Sequence, residues 1–143
     1  MAQSPTERRA AAFRRTREAH QSEVAEDYVE LIGDLIAEGG EARLIDVAGN
    51  MAVTQATASK VVARLKREGL VEGEPYRSLR LTGTGARMAE ESRRRHRIVA
   101  DFLRALGVNE AVAEADSEGM EHHVSDATLD ALAALTGRLR QQD

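Results

Sequence analysis

The stretch from Leu44 to Glu68, LIDVAGNMAVTQATASKVVARLKRE, decides how the rest of the chain is organised. Leu44 to Asn50 reads as a short helix, Met51 to Thr54 as a tight turn, and Gln55 to Glu68 as a second helix. Thr54 stands where an N-cap belongs, since its hydroxyl can accept from the free amides of the first turn. Ala58, Val61, Val62 and Leu65 recur at helical spacing and face inward. Gln55, Thr57, Ser59, Lys60, Arg64 and Arg67 are left on the outer face. Two short helices joined by a tight turn, the second polar and basic outside, make a helix-turn-helix.

The residues that follow bear on whether that outer face is merely solvated. Gly69 to Glu72 and Arg77 to Thr82 read as two strands, with Gly73, Glu74 and Pro75 supplying the turn. A hairpin directly after the second helix makes the motif winged and favours DNA binding over a plain charged helix. Gln55, Thr57 and Lys60 then fall in the early turns that enter a major groove, where Gln can bond adenine and Lys can bond guanine. Ser59 and Arg64 share that face. Arg77 at the hairpin tip and Arg80 are candidate phosphate contacts.

Upstream, His20 to Glu38 carries Val24, Tyr28, Leu31, Ile32, Leu35 and Ile36 at helical spacing and stops at Gly39-Gly40. Asp27 and Glu30 lie three apart beside that seam, as surface acids or boundary ligands. Met1 to Ala19, with Arg8, Arg9, Arg14, Arg15 and Arg17, reads as a flexible basic arm. Downstream, a long helix runs to about Leu106 with Met88, Ser92, Val99, Leu103 and Leu106 inward and His96 in line with them. Asn109 caps a helix from Glu110 to about Ala115. Ser125 or Asp126 caps a last helix carrying Leu129, Leu132, Leu135 and Leu139. The expected fold is mainly α: a winged helix-turn-helix domain over 20–83 with a small two-stranded wing, then an all-helical domain over 84–143.

Asp116 to His123, DSEGMEHH, has the densest metal-binding chemistry in the chain. If helical from Glu118, it places Glu118, Glu121 and His122 on one face at i, i+3 and i+4. Carboxylates with imidazole suit divalent manganese, iron, cobalt or zinc. The bland alternative is an acidic, solvated helix end. There are no cysteines, so disulfides and thiolate metal sites are excluded. No apolar run is long enough to span a bilayer, and the Arg-rich start lacks the apolar core of a secretory signal; a soluble, cytoplasmic protein without membrane association is expected. The net charge of −4 is unevenly spread: basic residues gather at Arg8–Arg17, Lys60–Arg67 and Arg93–Arg97, acidic ones at Glu23–Glu30 and Glu110–Glu121. One basic face and one acidic pocket follow.

Together, Asp27-Tyr28-Val29-Glu30, Arg95-His96 and Glu118-Gly119-Met120-Glu121-His122-His123, with a winged helix-turn-helix between them, resemble the metal-dependent transcriptional repressors related to the diphtheria toxin repressor, and among them the manganese regulators. The resemblance covers roughly Arg17 to Leu139. It implies a binuclear site of Asp27, Glu30, His96, Glu118, Glu121 and His122 that takes Mn(II), two ions per subunit; His123 matches a neighbour that is not usually a ligand. Iron-responsive relatives have methionine where this chain has Asp27 and cysteine where it has Glu118, so a harder, more anionic site is expected here. Fe(II) is the other candidate activator, with Zn(II) or Co(II) substituting in vitro.

The resemblance further makes 84–143 a metal-binding and dimerisation domain, and implies a homodimer on double-stranded operator DNA, no organic cofactor, and a chain ending after that domain. Asp27 and Glu30 belong to the DNA-binding domain and the other ligands to the dimerisation side, so a cation held by both sets is expected to restrict relative motion. It would favour recognition helices about 34 Å apart, one DNA turn. Departures are Ala56, where a proline is usual, and Gly49-Asn50 in place of bulkier residues, so operator preference does not carry over. Three alternatives stay open: an iron(II)-responsive regulator of the same family, a small carboxylate and histidine metalloenzyme, and a winged-helix regulator of an organic ligand.

Overall fold

The computed structural model describes residues 1–74 and 77–142. Pro75, read above as part of the wing's turn, lies outside the described residues. The elements are α1 (Pro5–Gly39), α2 (Leu44–Met51), α3 (Gln55–Arg67), β1 (Val71–Glu72), β2 (Arg80–Leu81), α4 (Gly83–Ala105), α5 (Glu110–Met120) and α6 (Asp126–Arg140). They form two compact units: Val24–Arg93, and Met1–Glu23 with Arg94–Asp143. The two divisions fall inside helices, one in α1 and one in α4. Among the described residues, no helix is long and apolar enough to cross a membrane.

In the unit Val24–Arg93, α1 buries Ala25, Tyr28, Val29 and Ile32, spaced i, i+3, i+4 and i+7 as one helix face requires. Val24, expected inward, is 38% exposed. One residue turns a helix by about 100°, so the seam centred on Ala25 and Val29 carries Val24 to its side. Val47 and Ala48 of α2 and Ala58, Val62 and Leu65 of α3 join the same core. The α2–α3 turn is closed by Ala52 in the left-handed region at φ 55° and by Thr54, whose side chain accepts from the Thr57 amide. The wing is shorter than its sequence suggests. Val71 pairs with Leu81 and Glu72 with Arg80 in antiparallel register, while the Leu79 amide turns away to the Ala42 carbonyl at 2.7 Å and so leaves the ladder. Thr82 ties the wing to α4: its hydroxyl donates to the Gly69 carbonyl and accepts from the Gly85 amide.

The other unit is built on Val99, Leu103, Ala113 and Leu129, with Ile98, Phe102, Val108, Val124 and Leu132 packed around them. Leu106, expected on the inner stripe, is exposed at 55% because α4 ends at Ala105 and Leu106 falls in the following turn. The flexible arm expected over 1–19 is instead helical from Pro5. Ser4 and Glu7 form a reciprocal cap, with the Glu7 amide donating to Ser4 Oγ and the Ser4 amide to Glu7 Oε2. Proline at the first helical position suits that start, and the alanines and arginines that follow are good helix formers.

Candidate metal centre and nucleic-acid interface

Helix α5 runs to Met120, past the end expected near Ala115. Ser117 lies within the extension. It is buried, its hydroxyl donates back to the Glu114 carbonyl at 2.9 Å, and the Asp116-Ser117-Glu118 run is helical. Glu118 and Glu121, one turn apart, therefore approach α4 together. Beyond Glu121 the chain leaves the helix, so His122 lies in the turn and not at i+4 on a helical face. Arg95 holds that turn: its Nε donates to the Glu121 carbonyl at 2.8 Å, a second nitrogen donates to the Val124 carbonyl, and Nη1 stands 3.5 Å from Asp126.

His96, Glu118 and Glu121 offer ligand atoms that all lie within 4.8 Å of one another. His96 Nδ1 is 2.7 Å from Glu121 Oε2 and 3.6 Å from Glu118 Oε1, while His96 Nε2 is 2.9 Å from Glu114 Oε2. Glu121 is 1% exposed, and its second oxygen, Oε1, is buried without a hydrogen bond, 3.4 Å from His122 Nε2. Glu121 thus stands between two imidazoles.

Burial, together with the nearby Glu118 charge, pushes the Glu121 carboxyl up to about 7, although its hydrogen bond to His96 opposes the rise. Burial by itself would lower His96, but its hydrogen bonds to Glu114 and Glu121 outweigh that and raise it. The cluster therefore retains a proton near neutrality. A buried carboxylate oxygen without a donor is costly to keep, and a divalent cation would satisfy it. The donor set of two carboxylates and an imidazole fits a hard or borderline ion.

Sequence reasoning missed Glu114, the second partner of His96, though Glu114 and Glu118 are four apart on α5. It also missed Arg104, which grips Glu110 through two bonds of 2.7 Å each and also donates to Glu114. In the unit Val24–Arg93, Glu30 Oε2 accepts from the buried Ser92 hydroxyl at 2.7 Å, and Asp27 lies half-buried on α1. Arg93 clasps Asp34 at 2.8 Å on the same unit.

On α3, Gln55, Thr57, Ser59 and Lys60 are exposed. Thr57 Oγ1 accepts from Thr54 Oγ1 at 3.0 Å, which engages it in the helix cap. Arg64 pairs with Glu68 at 2.8 Å. On the wing, Arg77 lies 3.2 Å from Glu74 and Arg80 3.8 Å from Glu72, both arginines exposed. Exposed pairs of this kind are weak and exchange readily for phosphate.

Residues 20–79 match the family model described as iron dependent repressor, N-terminal DNA binding domain, and residues 82–143 match the one described as iron dependent repressor, metal binding and dimerisation domain. The transcriptional regulator MntR of Escherichia coli is 52% identical over 124 residues, covering 87% of this chain and 80% of that protein. An HTH-type transcriptional regulator MntR of Bacillus subtilis is 36% identical over 118 residues, covering 82% and 83%. A solved manganese-dependent transcriptional repressor in complex with manganese is similar at 30% identity and a TM-score of 0.69, over 79% of this chain and 52% of that one. The chain thus spans about half the length of that solved structure.

Proposed function

The chain belongs to the iron-dependent repressor family, and from that membership we propose that it is a manganese-responsive, DNA-binding transcriptional repressor of metal-uptake genes, acting as a homodimer. The observation that carries the metal side of this reading is the convergence of His96, Glu118 and Glu121 around a buried Glu121 oxygen that accepts no hydrogen bond. The proposed ligands are these three with Asp27, Glu30 and His122, for two Mn(II) ions per subunit.

Manganese is favoured over iron(II) because Asp27 and Glu118 occupy positions where the iron-responsive relatives carry softer side chains, and hard oxygen ligands suit manganese. The relatives named for manganese point the same way. Zinc or cobalt would substitute in vitro, since both stand above manganese in the general affinity order. Bound manganese would supply positive charge to balance the clustered carboxylates. Glu121 and His96 must give up their shared proton to act as ligands, so binding is proton-linked. Gln55, Thr57, Ser59 and Lys60 would read base edges, while Arg64, Arg77 and Arg80 would contact phosphates.

The test is DNA binding at fixed salt with manganese or chelator present, for the parent chain and for Glu121→Gln, which keeps side-chain size. Manganese should tighten DNA binding by the parent and not by the variant. If chelator leaves the parent's affinity unchanged, the metal-responsive reading fails. If Glu121→Gln retains the full manganese response, the ligand assignment fails.

A further inference from the structure

His20, Glu23 and His123 form a second cluster of metal-competent groups; none of the three is in the ligand set proposed above, and a Glu23 oxygen also lies within 4.8 Å of a nitrogen of His122, which is. All three belong to the unit Met1–Glu23 with Arg94–Asp143. His20 and Glu23 are one turn apart on α1, and His123 stands in the turn after α5. His20 Nδ1 lies 3.2 Å from Glu23 Oε2, and His123 Nε2 lies 3.7 Å from the same oxygen. The ligand atoms of the three residues all fall within 4.8 Å of one another. The backbone that presents His123 is held, because its amide donates to the Met120 carbonyl at 3.1 Å and Arg95 binds the carbonyls on either side.

Those spacings decide what the cluster can do. Ligands about 2.0–2.1 Å from one tetrahedral zinc are about 3.3 Å apart. The two histidine–glutamate separations already bracket that value, so an ion could replace the direct contacts with shifts of a few tenths of an ångström. Two imidazoles with one carboxylate favour zinc, cobalt or nickel over manganese, because nitrogen-rich donor sets suit those borderline ions. His20 is exposed and Glu23 and His123 are partly so, which leaves a further coordination position open to water.

We propose that His20, Glu23 and His123 bind one zinc-like divalent cation, additional to the manganese ions and beside His122, and thereby pin the His20–Glu23 turn of α1 to the turn that carries Glu121 and His122. The cation would clip two segments of one unit that are about a hundred residues apart in sequence, replacing the partly exposed His123–Glu23 ion pair, which by itself contributes little.

The experiment is equilibrium dialysis of the full chain against zinc, and in parallel against manganese, for the parent, His20→Ala and His123→Ala. Both histidines lie outside the buried core, so neither substitution threatens folding. Each variant is expected to lose one zinc equivalent per subunit and keep the parent's manganese equivalents. If either variant binds as much zinc as the parent, the cluster is an ion pair only and the proposal is overturned. Loss of manganese equivalents along with zinc overturns it as well, because the residues would then belong to the manganese site. Cobalt(II) absorption offers a spectroscopic control: the visible band of the parent should weaken in both variants, and unchanged bands would speak against the site.

Discussion

Replacing Glu121 by Gln should make the metal-free protein more stable, and increasingly so as pH rises. Glu121 is 1% exposed and its carboxyl titrates at about 7, against an ordinary value of 4.5. Because the folded form holds the proton more tightly than the unfolded chain, stability falls as pH rises from about 4.5 through about 7 and is lowest above that window. Each pH unit of the interval is worth about 1.4 kcal/mol, so the buried carboxylate costs the folded state up to about 3 kcal/mol above pH 7. Between pH 5.5 and pH 8 the part still to be lost is about 2 kcal/mol. The variant lacks that loss, while its amide oxygen can still accept from His96. In chelator, the stability difference between Glu121→Gln and the parent should therefore grow by about 2 kcal/mol over that range, or roughly 4–8 °C in Tm for a chain of this size. Urea and thermal unfolding at matched protein concentration would measure it. Saturating manganese should reverse the ranking, since a ligand at a hundred times its Kd stabilises the native state by about 2.7 kcal/mol and the variant lacks the ligand oxygen. A stability difference that stays flat with pH would refute the assignment of a protonated, buried Glu121.

Other outcomes follow from the same geometry. Manganese affinity should rise with pH through about 7, because both Glu121 and His96 are held above their ordinary values and must release a proton to coordinate; calorimetric titration in buffers of different ionisation enthalpy would register the released proton. Gly85→Ala places a Cβ 2.0 Å from the Leu70 carbonyl oxygen, a backbone atom that cannot swing away, and should destabilise by about 3 kcal/mol or more. Gly33→Ala meets Arg93 Nη2 at 2.8 Å, the far end of a flexible side chain, and should stay within about 1 kcal/mol of the parent by the same denaturation measurement. Thr54→Ala removes the α3 cap and should lower stability by about 1 kcal/mol with an unchanged denaturant slope. Arg80→Ala should weaken binding to all DNA sequences alike and reduce the salt slope by about 1, whereas Lys60→Ala should relax base preference at a cost of about 1–3 kcal/mol, both read by DNA titration at several salt concentrations.

Much of the fold is legible in the chain because its signals are local. The helix-turn-helix needs only Thr54 as cap, the apolar spacing of Ala58, Val62 and Leu65, and the glycines that end α1 and separate α3 from the wing. Those properties depend on neighbours a few residues away, and they survive into the structure. The Ser4–Glu7 cap is equally local, yet the basic stretch that follows it reads as a loose arm. That expectation rests on chain ends being loosely ordered as a rule, and it leaves the capping geometry out of account.

By itself the sequence determined which groups could act: two acids and a histidine run near Glu118, a lone histidine on α4, and a polar, basic face on α3. Tertiary structure alone decided that His96 meets Glu121 and Glu114, that one Glu121 oxygen is left buried without a donor, and that His20 and Glu23 meet His123 from the far end of the chain. Spacing along a helix fixes a side chain's direction only relative to that helix. Burial, and with it a proton's affinity for a carboxylate, depends on which distant elements pack around the group, and that is a property of the assembled fold.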